Sequence, residues 1–355
     1  MDVVGLVILV TKVLVAFGFL LVSTLLLIWM ERKIVADMQS RVGPARAGPF
    51  GILQTLADGI KLFFKEQITP RTVELGVYLA APVVALLPAF LTFLVVPVGR
   101  PITVGERTVA LQVMDLNVAV LYVLAMSSVA VYAVVLAGWS SGSKYPMLGG
   151  VRSTAQMISY EAAMGLALIP LVMTAGTASL AEIVELQAGT YLGFVPRWFV
   201  IPQAIPFVLF FVAGVAETNR APFDLVEAEQ ELVGGFHTEY SGVRFAMFFL
   251  AEYVNIINIS AIAVTLFLGG YQGPTFDGLL PAFVSSLLPV VWFLVKLFVL
   301  LFVFVWIRAT FPRLRYDQLM MVGWKRMIPL ALVWLVVSTV TISVGQFGLP
   351  WAGQG

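Results

Sequence analysis

Long apolar runs separated by short polar connections make up most of this chain. A helix that crosses the hydrocarbon core of a bilayer needs roughly 20 predominantly apolar residues. Eight segments meet this requirement, at about 3–29, 75–97, 116–138, 153–178, 198–219, 242–268, 283–307 and 327–346. The pattern predicts an all-α polytopic membrane protein with eight transmembrane helices, whose residues 1–355 form a single membrane domain.

The first connection contains a ninth predicted helix with a different pattern. Apolar residues of the segment at about 51–66 recur on one helical face, and Gln54, Asp58, Lys61 and Lys65 lie on the other. An amphipathic helix of this kind lies in the plane of the membrane interface. We therefore expect one interfacial helix in addition to the eight spans.

Positive charge is distributed unevenly between the two sides of the predicted bundle. Sixteen of the 21 Lys and Arg residues fall in the connections that follow spans 1, 3, 5 and 7. That bias predicts that these connections are cytoplasmic and that both termini face outward. On the opposite side, the connection around 99–115 is short enough to form a small hairpin.

Four basic residues of the first connection have two interpretations. They are Arg32, Arg41, Arg46 and Lys65. Such residues commonly anchor a chain to anionic headgroups. Alternatively, they line the mouth of a cavity between span 1 and the surface helix.

Composition agrees with a membrane location and excludes several kinds of site. Apolar residues make up 60% of the chain, and the mean hydropathy is +0.97. The absence of cysteine excludes disulfides, thiolate zinc sites and iron–sulfur ligation on this chain, and a single histidine, His237, leaves little room for haem. A balance of 21 basic and 20 acidic residues creates no field that attracts nucleic acid. Nucleotide-binding and zinc-protease motifs are also missing from the sequence.

Acidic residues concentrate in one segment whose flanks are apolar. The 36 residues from 217 to 252 contain Glu217, Asp224, Glu227, Glu229, Glu231, Glu239 and Glu252. Ionisable groups near membrane depth are costly and usually mark a proton pathway, an ion pathway or a substrate site. Glu161 lies nine residues into span 4, roughly 13 Å deep at 1.5 Å per residue. The sequence therefore favours a proton relay through Glu161, Glu217 and Glu252 over three neutral structural residues.

Two further polar residues leave their roles open. Lys296 lies in the middle of span 7, where both a buried ion pair and a relay role are compatible with the sequence. His237 lies beside the acidic residues, and a hydrogen-bonded loop histidine is favoured over a ligand. The chain as a whole is expected to handle protons or a lipophilic substrate for partner chains.

Motifs in the four cytoplasmic connections match one known family in order and spacing. The matching stretches are 31–33, 39–44, 48–51, 56–61, 64–66, 143–145, 148–149, 152, 158–161, 216–225, 227–235, 237–240, 315–320 and 324–325. They resemble the H subunit of respiratory complex I, the NADH dehydrogenase subunit 1 family. The resemblance extends from about residue 29 to residue 326.

The resemblance implies a quinone-binding, proton-relay subunit of a proton-pumping NADH:quinone oxidoreductase. Span 1 and the surface helix would then form the mouth of a quinone tunnel. Residues near the quinone would be Glu31, Arg32, Asp58 and Lys65. Relay residues would be Glu161, Glu217, Glu252, Glu227, Glu229, Glu231 and Glu239.

The resemblance also implies cofactors, partners and a location. Quinone would be the substrate, and flavin and iron–sulfur clusters would lie on partner subunits, so this chain would be a non-redox subunit of a translocase. The implied partners are hydrophilic quinone-module subunits including an iron–sulfur subunit, small membrane subunits, antiporter-like subunits and lipid, with no nucleic acid. The implied location is an energy-transducing membrane, namely a bacterial inner (plasma) membrane.

Two positions depart from the family pattern. Some relatives carry a glutamate in span 3, where this chain has Ser127-Ser128. We therefore expect a relay to pass through water or hydroxyl groups at that point. Val226 replaces a proline that is often found in the acidic connection.

Two other functions remain as alternatives. The first is the homologous membrane subunit of an energy-converting hydrogenase or a deazaflavin-dependent dehydrogenase. The second is a stand-alone cation/proton transporter, for which an internal inverted repeat would be expected.

Overall fold

The computed structural model describes residues 3–104, 107–191, 195–224, 233–274 and 282–346. Its α-helices are α1 (Val3–Met38), α2 (Gln54–Phe64), α3 (Leu75–Phe93), α4 (Ala119–Ser140), α5 (Lys144–Ala175), α6 (Leu180–Leu186), α7 (Ala204–Glu217), α8 (Gly242–Phe267), α9 (Ala282–Thr310), α10 (Tyr316–Met321) and α11 (Ile328–Gln346). Short 3-10 turns lie at Pro49–Gly51 and Gly235–His237, and a π-helical turn at Val322–Met327 joins α10 to α11.

Within these described ranges, seven helices are long and apolar enough to cross a membrane. They are Val3–Met38, Leu75–Phe93, Ala119–Ser140, Lys144–Ala175, Gly242–Phe267, Ser285–Thr310 and Tyr316–Val344. Each contains most of one predicted span. The prediction of a multi-pass helical membrane protein is confirmed at this level.

The fifth predicted span forms a shorter apolar helix than the sequence pattern suggested. Helix α7 begins at Ala204 instead of near residue 198, and it has 14 residues. Pro202 precedes the helix and Pro206 lies in its first turn. Because proline lacks a backbone N–H and fits only the first turn of a helix without strain, these two prolines fix where α7 starts.

Helix α8 lies at the centre of the bundle. In its most apolar 18-residue stretch, 72% of the residues are buried, and α1, α3, α7 and α9 pack around it. Small residues let the helices approach closely, as membrane bundles require. A Cβ added to Gly214 of α7 would lie 2.4 Å from a side-chain carbon of Ile259 on α8.

Helix α2 corresponds to the predicted surface helix. It packs beside α1 and α8, and the indole N–H of Trp29 on α1 donates a hydrogen bond of 3.0 Å to the Phe50 carbonyl just before α2. Ile60, Phe63 and Phe64 on the apolar face of α2 are exposed. The chain thus contains an amphipathic helix at the predicted place, and its position in a membrane interface remains a prediction.

Two small hairpins lie between the long helices. Strand β1 (Ile102–Val104) pairs antiparallel with β2 (Arg107–Val109), which confirms the hairpin predicted within 99–115. Strand β3 (Thr190–Tyr191) pairs antiparallel with β4 (Val195–Pro196), and no pattern in the sequence predicted this second hairpin.

Lys296, for which the sequence left open a buried ion pair or a relay role, contacts backbone carbonyls and an aromatic ring. Its ammonium group donates hydrogen bonds to the backbone carbonyls of Leu268 at 2.7 Å, Gly270 at 3.0 Å and Gln272 at 2.5 Å. The same group lies 4.3 Å from the ring centroid of Trp198. Lys296 therefore stabilises the carboxyl end of α8 through carbonyl groups and an aromatic face.

We expect Gly149→Ala to destabilise the bundle. A Cβ at Gly149 would lie 2.7 Å from the Cα of Gly235, so the backbone near Phe236 must move. Overpacking of this kind costs about 1–3 kcal/mol. The thermal stability of the detergent-solubilised protein measures the effect. Gly165→Ala is the matched control, because nothing lies within 4 Å of a Cβ at that position of the same helix. Equal stability of the two variants would contradict this packing.

Candidate functional site

Two predicted relay carboxyl groups are held by neighbouring serines of α4. The Ser127 hydroxyl hydrogen-bonds Oε1 of Glu217 at the end of α7. The Ser128 hydroxyl hydrogen-bonds Oε1 of Glu161 on α5. Hydroxyl groups therefore occupy the stretch of α4 where the sequence departs from some relatives. Each hydroxyl bonds a carboxyl group on a different helix.

Glu217 lies between two cavities that share part of their walls. One cavity has a volume of about 70 Å³, and the other has a volume of about 30 Å³. Glu217 and Asn255 line both of them, His237 and Glu252 line the larger one, and Ser127 lines the smaller. A water molecule needs roughly 10–15 Å³ of accessible volume and polar neighbours. Both cavities meet these requirements.

One oxygen of Glu217 has no protein partner in the part of the chain that the structure describes. Its Oε1 faces Ser127, and its Oε2 is buried without a hydrogen bond. A buried carboxyl oxygen without a partner is costly, so this atom provides a place for a bound water or an exchanging proton.

Glu252 has a different environment from the other two relay carboxyl groups. Its Oε1 lies 3.3 Å from Nε of Arg220, which is buried. The guanidinium carbon of Arg220 lies 4.2 Å from the ring centroid of Tyr253. The three predicted relay residues therefore comprise one ion-paired carboxylate and two hydroxyl-bound carboxyl groups.

Glu31, in the carboxyl-terminal part of α1, links three helices. The Tyr253 hydroxyl on α8 donates to Glu31 Oε2 at 2.9 Å, and the Arg308 guanidinium on α9 forms an ion pair with Oε1. Glu31 is buried. The Tyr253 ring also packs against Arg220, and Arg220 pairs with Glu252. Glu31 and Glu252 therefore lie at the two ends of a chain of contacts that runs through Tyr253 and Arg220.

The other residues predicted to lie near the quinone divide into two sets. Arg32 on α1 forms a 2.5 Å ion pair with Asp58 on α2, and the Gln54 amide donates to the same carboxylate at 3.0 Å. This contact ties the surface helix to the first span. Lys65, by contrast, lies exposed at the end of α2.

An open cavity of about 460 Å³ lies between α1 and α9 at this end of the molecule. Its charged lining residues are Glu31, Arg32, Arg41 and Arg308. Two of the four basic residues with alternative interpretations, Arg32 and Arg41, thus line a cavity, but it lies between α1 and α9 and none of its lining residues belongs to the surface helix α2.

The acidic connection is described only at its two ends. Glu227, Glu229 and Glu231 lie at 225–232, outside the described residues. The Glu239 backbone carbonyl accepts a hydrogen bond of 2.7 Å from the Tyr78 hydroxyl, and its side chain is half-buried.

Asp224 is the buried acidic residue at the start of this connection. The Arg313 guanidinium donates to Asp224 Oδ2 at 3.1 Å. The motif around residue 315 in the last connection is therefore brought against the acidic connection by a charge-assisted hydrogen bond.

His237 packs between aromatic rings and lines the larger cavity. Its ring centroid lies 4.9 Å from that of Phe236 and 5.4 Å from that of Phe245. Burial lowers the pKa of His237 to about 4, and the negative charge of Asp224 opposes that shift. The imidazole is therefore neutral at pH 7.

Among the described residues, no group of three or more His, Asp or Glu side chains is placed to hold a metal ion. Sequence reasoning missed several residues that contact the predicted ones, among them Arg220, Tyr253, Arg308 and Arg313. An unpaired buried acid is a signal that some cation must lie nearby, but it does not say which one.

Comparisons with known proteins find one family and two relatives that match most of this chain. Residues 11–339 match the model of the NADH dehydrogenase family. A protein of Frankia casuarinae, named as the H subunit of an NADH-quinone oxidoreductase, is 53% identical over 337 residues, which cover 94% of this chain and 72% of the relative. A protein of the same name from Frankia alni is 52% identical over 329 residues, which cover 92% of this chain and 71% of the relative.

Acidification is expected to loosen the structure around His237. Since the pKa is lowered from 6.5 to about 4 in the folded chain, the stability that depends on the neutral imidazole is complete above pH 6.5 and is lost as the pH falls toward 4. The loss at pH 5 is about 2 kcal/mol, or roughly 30-fold in the local opening equilibrium. Amide hydrogen exchange of residues 233–241 measures it.

The matched control is His237→Gln, which keeps a planar polar side chain that does not titrate. At pH 7.5 the two proteins should exchange alike, and at pH 5 the parent should exchange faster. A parent-to-variant ratio that stays constant over this pH range would contradict the assignment.

Proposed function

The chain belongs to the NADH dehydrogenase family as a membrane subunit of an NADH-quinone oxidoreductase, and we propose that it binds quinone and relays protons in a proton-pumping enzyme of this kind. In this proposal the chain carries no redox cofactor. Flavin and iron–sulfur clusters belong to hydrophilic partner subunits, and small membrane subunits and antiporter-like subunits continue the membrane arm. The relatives' name favours this function over a role in a hydrogenase.

The membrane arrangement follows from the same proposal. Helix α7 completes eight spans, and α2 lies in the cytoplasmic interface with its exposed Phe63 and Phe64 in lipid. The positive charge of the connections after spans 1, 3, 5 and 7 favours an orientation with both termini outside a bacterial inner membrane.

The quinone portal is assigned to the cavity between α1 and α9. A quinone has an apolar tail and a polar head, so its route requires an opening from lipid that leads to polar groups. The exposed apolar face of α2 and the charged lining of the 460 Å³ cavity offer these two environments close together. The Arg32–Asp58 ion pair holds α2 against α1 at this opening.

The proton relay is assigned to Glu217, Glu161 and Glu252. The two cavities beside Glu217 have room for several waters, and neighbouring serines of α4 bond one carboxyl group on α7 and one on α5. Waters and hydroxyl groups conduct protons only if a titratable group lies within reach, and these three carboxyl groups supply it.

One observation carries the proposal that portal and relay work together. Glu31 at the portal bonds the hydroxyl of Tyr253, and the Tyr253 ring lies under Arg220. Arg220 pairs with Glu252, which lines the same cavity as Glu217. A change of charge near the quinone therefore reaches the relay through side chains in contact, in a medium that screens poorly.

Glu161→Gln is expected to lower both quinone reduction and proton pumping by roughly tenfold or more, because a relay carboxyl group can no longer exchange a proton. Proton uptake and NADH oxidation by the whole complex in sealed vesicles measure the effect. Glu185→Gln is the matched control, because Glu185 is an exposed residue of α6 outside the relay. If Glu161→Gln left turnover and pumping intact, the relay assignment would be wrong.

Arg32→Met is expected to raise the KM for quinone by roughly tenfold while kcat stays near the parent value, because α2 is no longer tied to α1 at the portal. Steady-state kinetics with a soluble quinone analogue measure both constants. Lys61→Met on α2 is the control that removes one positive charge without touching the ion pair. A parental KM in Arg32→Met would argue against a portal at this place.

A further inference from the structure

Adjacent serines on α4 serve two carboxyl groups on two different helices. Successive residues of an α-helix point about 100° apart, so Ser127 and Ser128 face different neighbours. Ser127 is half-buried and faces Glu217 of α7, whereas Ser128 is exposed at the bundle surface and faces Glu161 of α5. Each carboxyl group therefore has its own hydroxyl partner.

A serine hydroxyl has one hydrogen to donate and two lone pairs that accept. The Ser128 oxygen lies within hydrogen-bond distance of two acceptors, the Glu161 carboxyl oxygen and the Leu124 backbone carbonyl, the latter at 3.1 Å. Because one hydrogen cannot serve both acceptors fully, the side chain has two hydrogen-bond arrangements. In the first it donates to Glu161, and in the second it donates to Leu124 and accepts from Glu161.

These two arrangements correspond to the two protonation states of Glu161. When the carboxyl group is ionised, it can only accept, so the serine hydrogen points toward it. When the carboxyl group gains a proton on Oε1, it donates that proton to the serine oxygen, and the serine hydrogen turns to the Leu124 carbonyl. No covalent bond of the serine breaks, and no heavy atom has to move.

Ser127 needs a water molecule for the same reversal. Within the described part of the chain, Glu217 Oε1 is the acceptor found for its hydroxyl. Ser127 and Glu217 together line the cavity of about 30 Å³, which is large enough for a water molecule. That water can accept the Ser127 hydrogen when Glu217 is protonated.

We propose that Ser127 and Ser128 are positioning residues that let Glu217 and Glu161 change protonation state in place, each serine reversing from donor to acceptor as its carboxyl group gains a proton. The inference rests on the proposed relay, because it requires that these two carboxyl groups titrate during turnover. It assigns the alternative acceptors as the Leu124 carbonyl for Ser128 and a cavity water for Ser127.

Infrared difference spectroscopy of the whole complex in lipid vesicles, triggered by quinone reduction, tests this inference. The C=O stretching bands of the protonated acids are assigned by their loss in Glu161→Gln and Glu217→Gln. Since a hydrogen bond from or to a carboxyl group lowers its C=O stretching frequency, Ser128→Ala should move the Glu161 band to higher frequency and leave the Glu217 band in place. Ser127→Ala should do the reverse.

Water provides a second signature that separates the two serines. A weakly hydrogen-bonded water band should accompany protonation of Glu217 and should disappear in Ser127→Ala. The Ser128→Ala variant should keep that band, because the Leu124 carbonyl and not water is its alternative acceptor.

Two further variants serve as controls. Ser260→Ala removes a buried hydroxyl of α8 that makes no hydrogen bond within the described residues, so both carboxyl bands should stay at their parental positions. Ser128→Thr keeps a hydroxyl that can bond the same carbonyl four residues earlier, so it should restore the Glu161 band.

The possible outcomes separate the inference from the proposed function. If neither glutamine variant removes a band, the two carboxyl groups do not titrate and the proposed relay fails, together with the inference that rests on it. If both bands are assigned but Ser127→Ala and Ser128→Ala leave them unmoved, the relay stands and the inference is overturned. Selective band shifts with rescue by threonine support both.

Discussion

The cost of removing polar groups from water is the constraint on which the rest of this structure depends. In the core of a bilayer no water solvates an unpaired charge, so a buried ionisable group is stabilised by polar or charged groups of the protein itself. Lys296 donates hydrogen bonds to three backbone carbonyls and lies over an indole ring. Glu31 contacts a tyrosine and an arginine, and Glu252 pairs with Arg220. The bundle is thus arranged around contacts that fix which helices must be neighbours.

The same constraint makes two kinds of acid available in one membrane domain. The carboxyl group of Glu252 pairs with the buried Arg220, and removing either partner would leave the other buried without a counter-charge. A carboxyl group held by a hydroxyl, such as Glu217 or Glu161, can accept a hydrogen bond from that hydroxyl or donate one to it. Glu252 and Glu217, one of each kind, line the same cavity, so an ion-paired carboxyl group lies beside one that is held by a hydroxyl.

Much of the fold could be predicted from the sequence because lipid imposes simple patterns. Apolar run length located all the long helices, amphipathic spacing located α2, and a short polar connection located the first hairpin. Helix α7 is shorter than the span predicted from hydropathy because prolines near its start determine where the helix begins. The partners of the acids were not predictable: Glu31 and Arg308 lie 277 residues apart, and no periodicity encodes such a pair. The Ser127-Ser128 pair was visible as a departure, but its orientation toward two helices required the packed structure.

The central claim is that Glu217 and Glu161 belong to one relay and do not act as independent sites. The most direct measurement is a double-mutant cycle with Glu217→Gln, Glu161→Gln and the double variant, read as the rate of proton pumping in sealed vesicles. One shared relay predicts that the double variant is no worse than the more damaging single variant, because either change already interrupts the same path. Losses that multiply, so that the double variant equals the product of the two singles, would contradict the account.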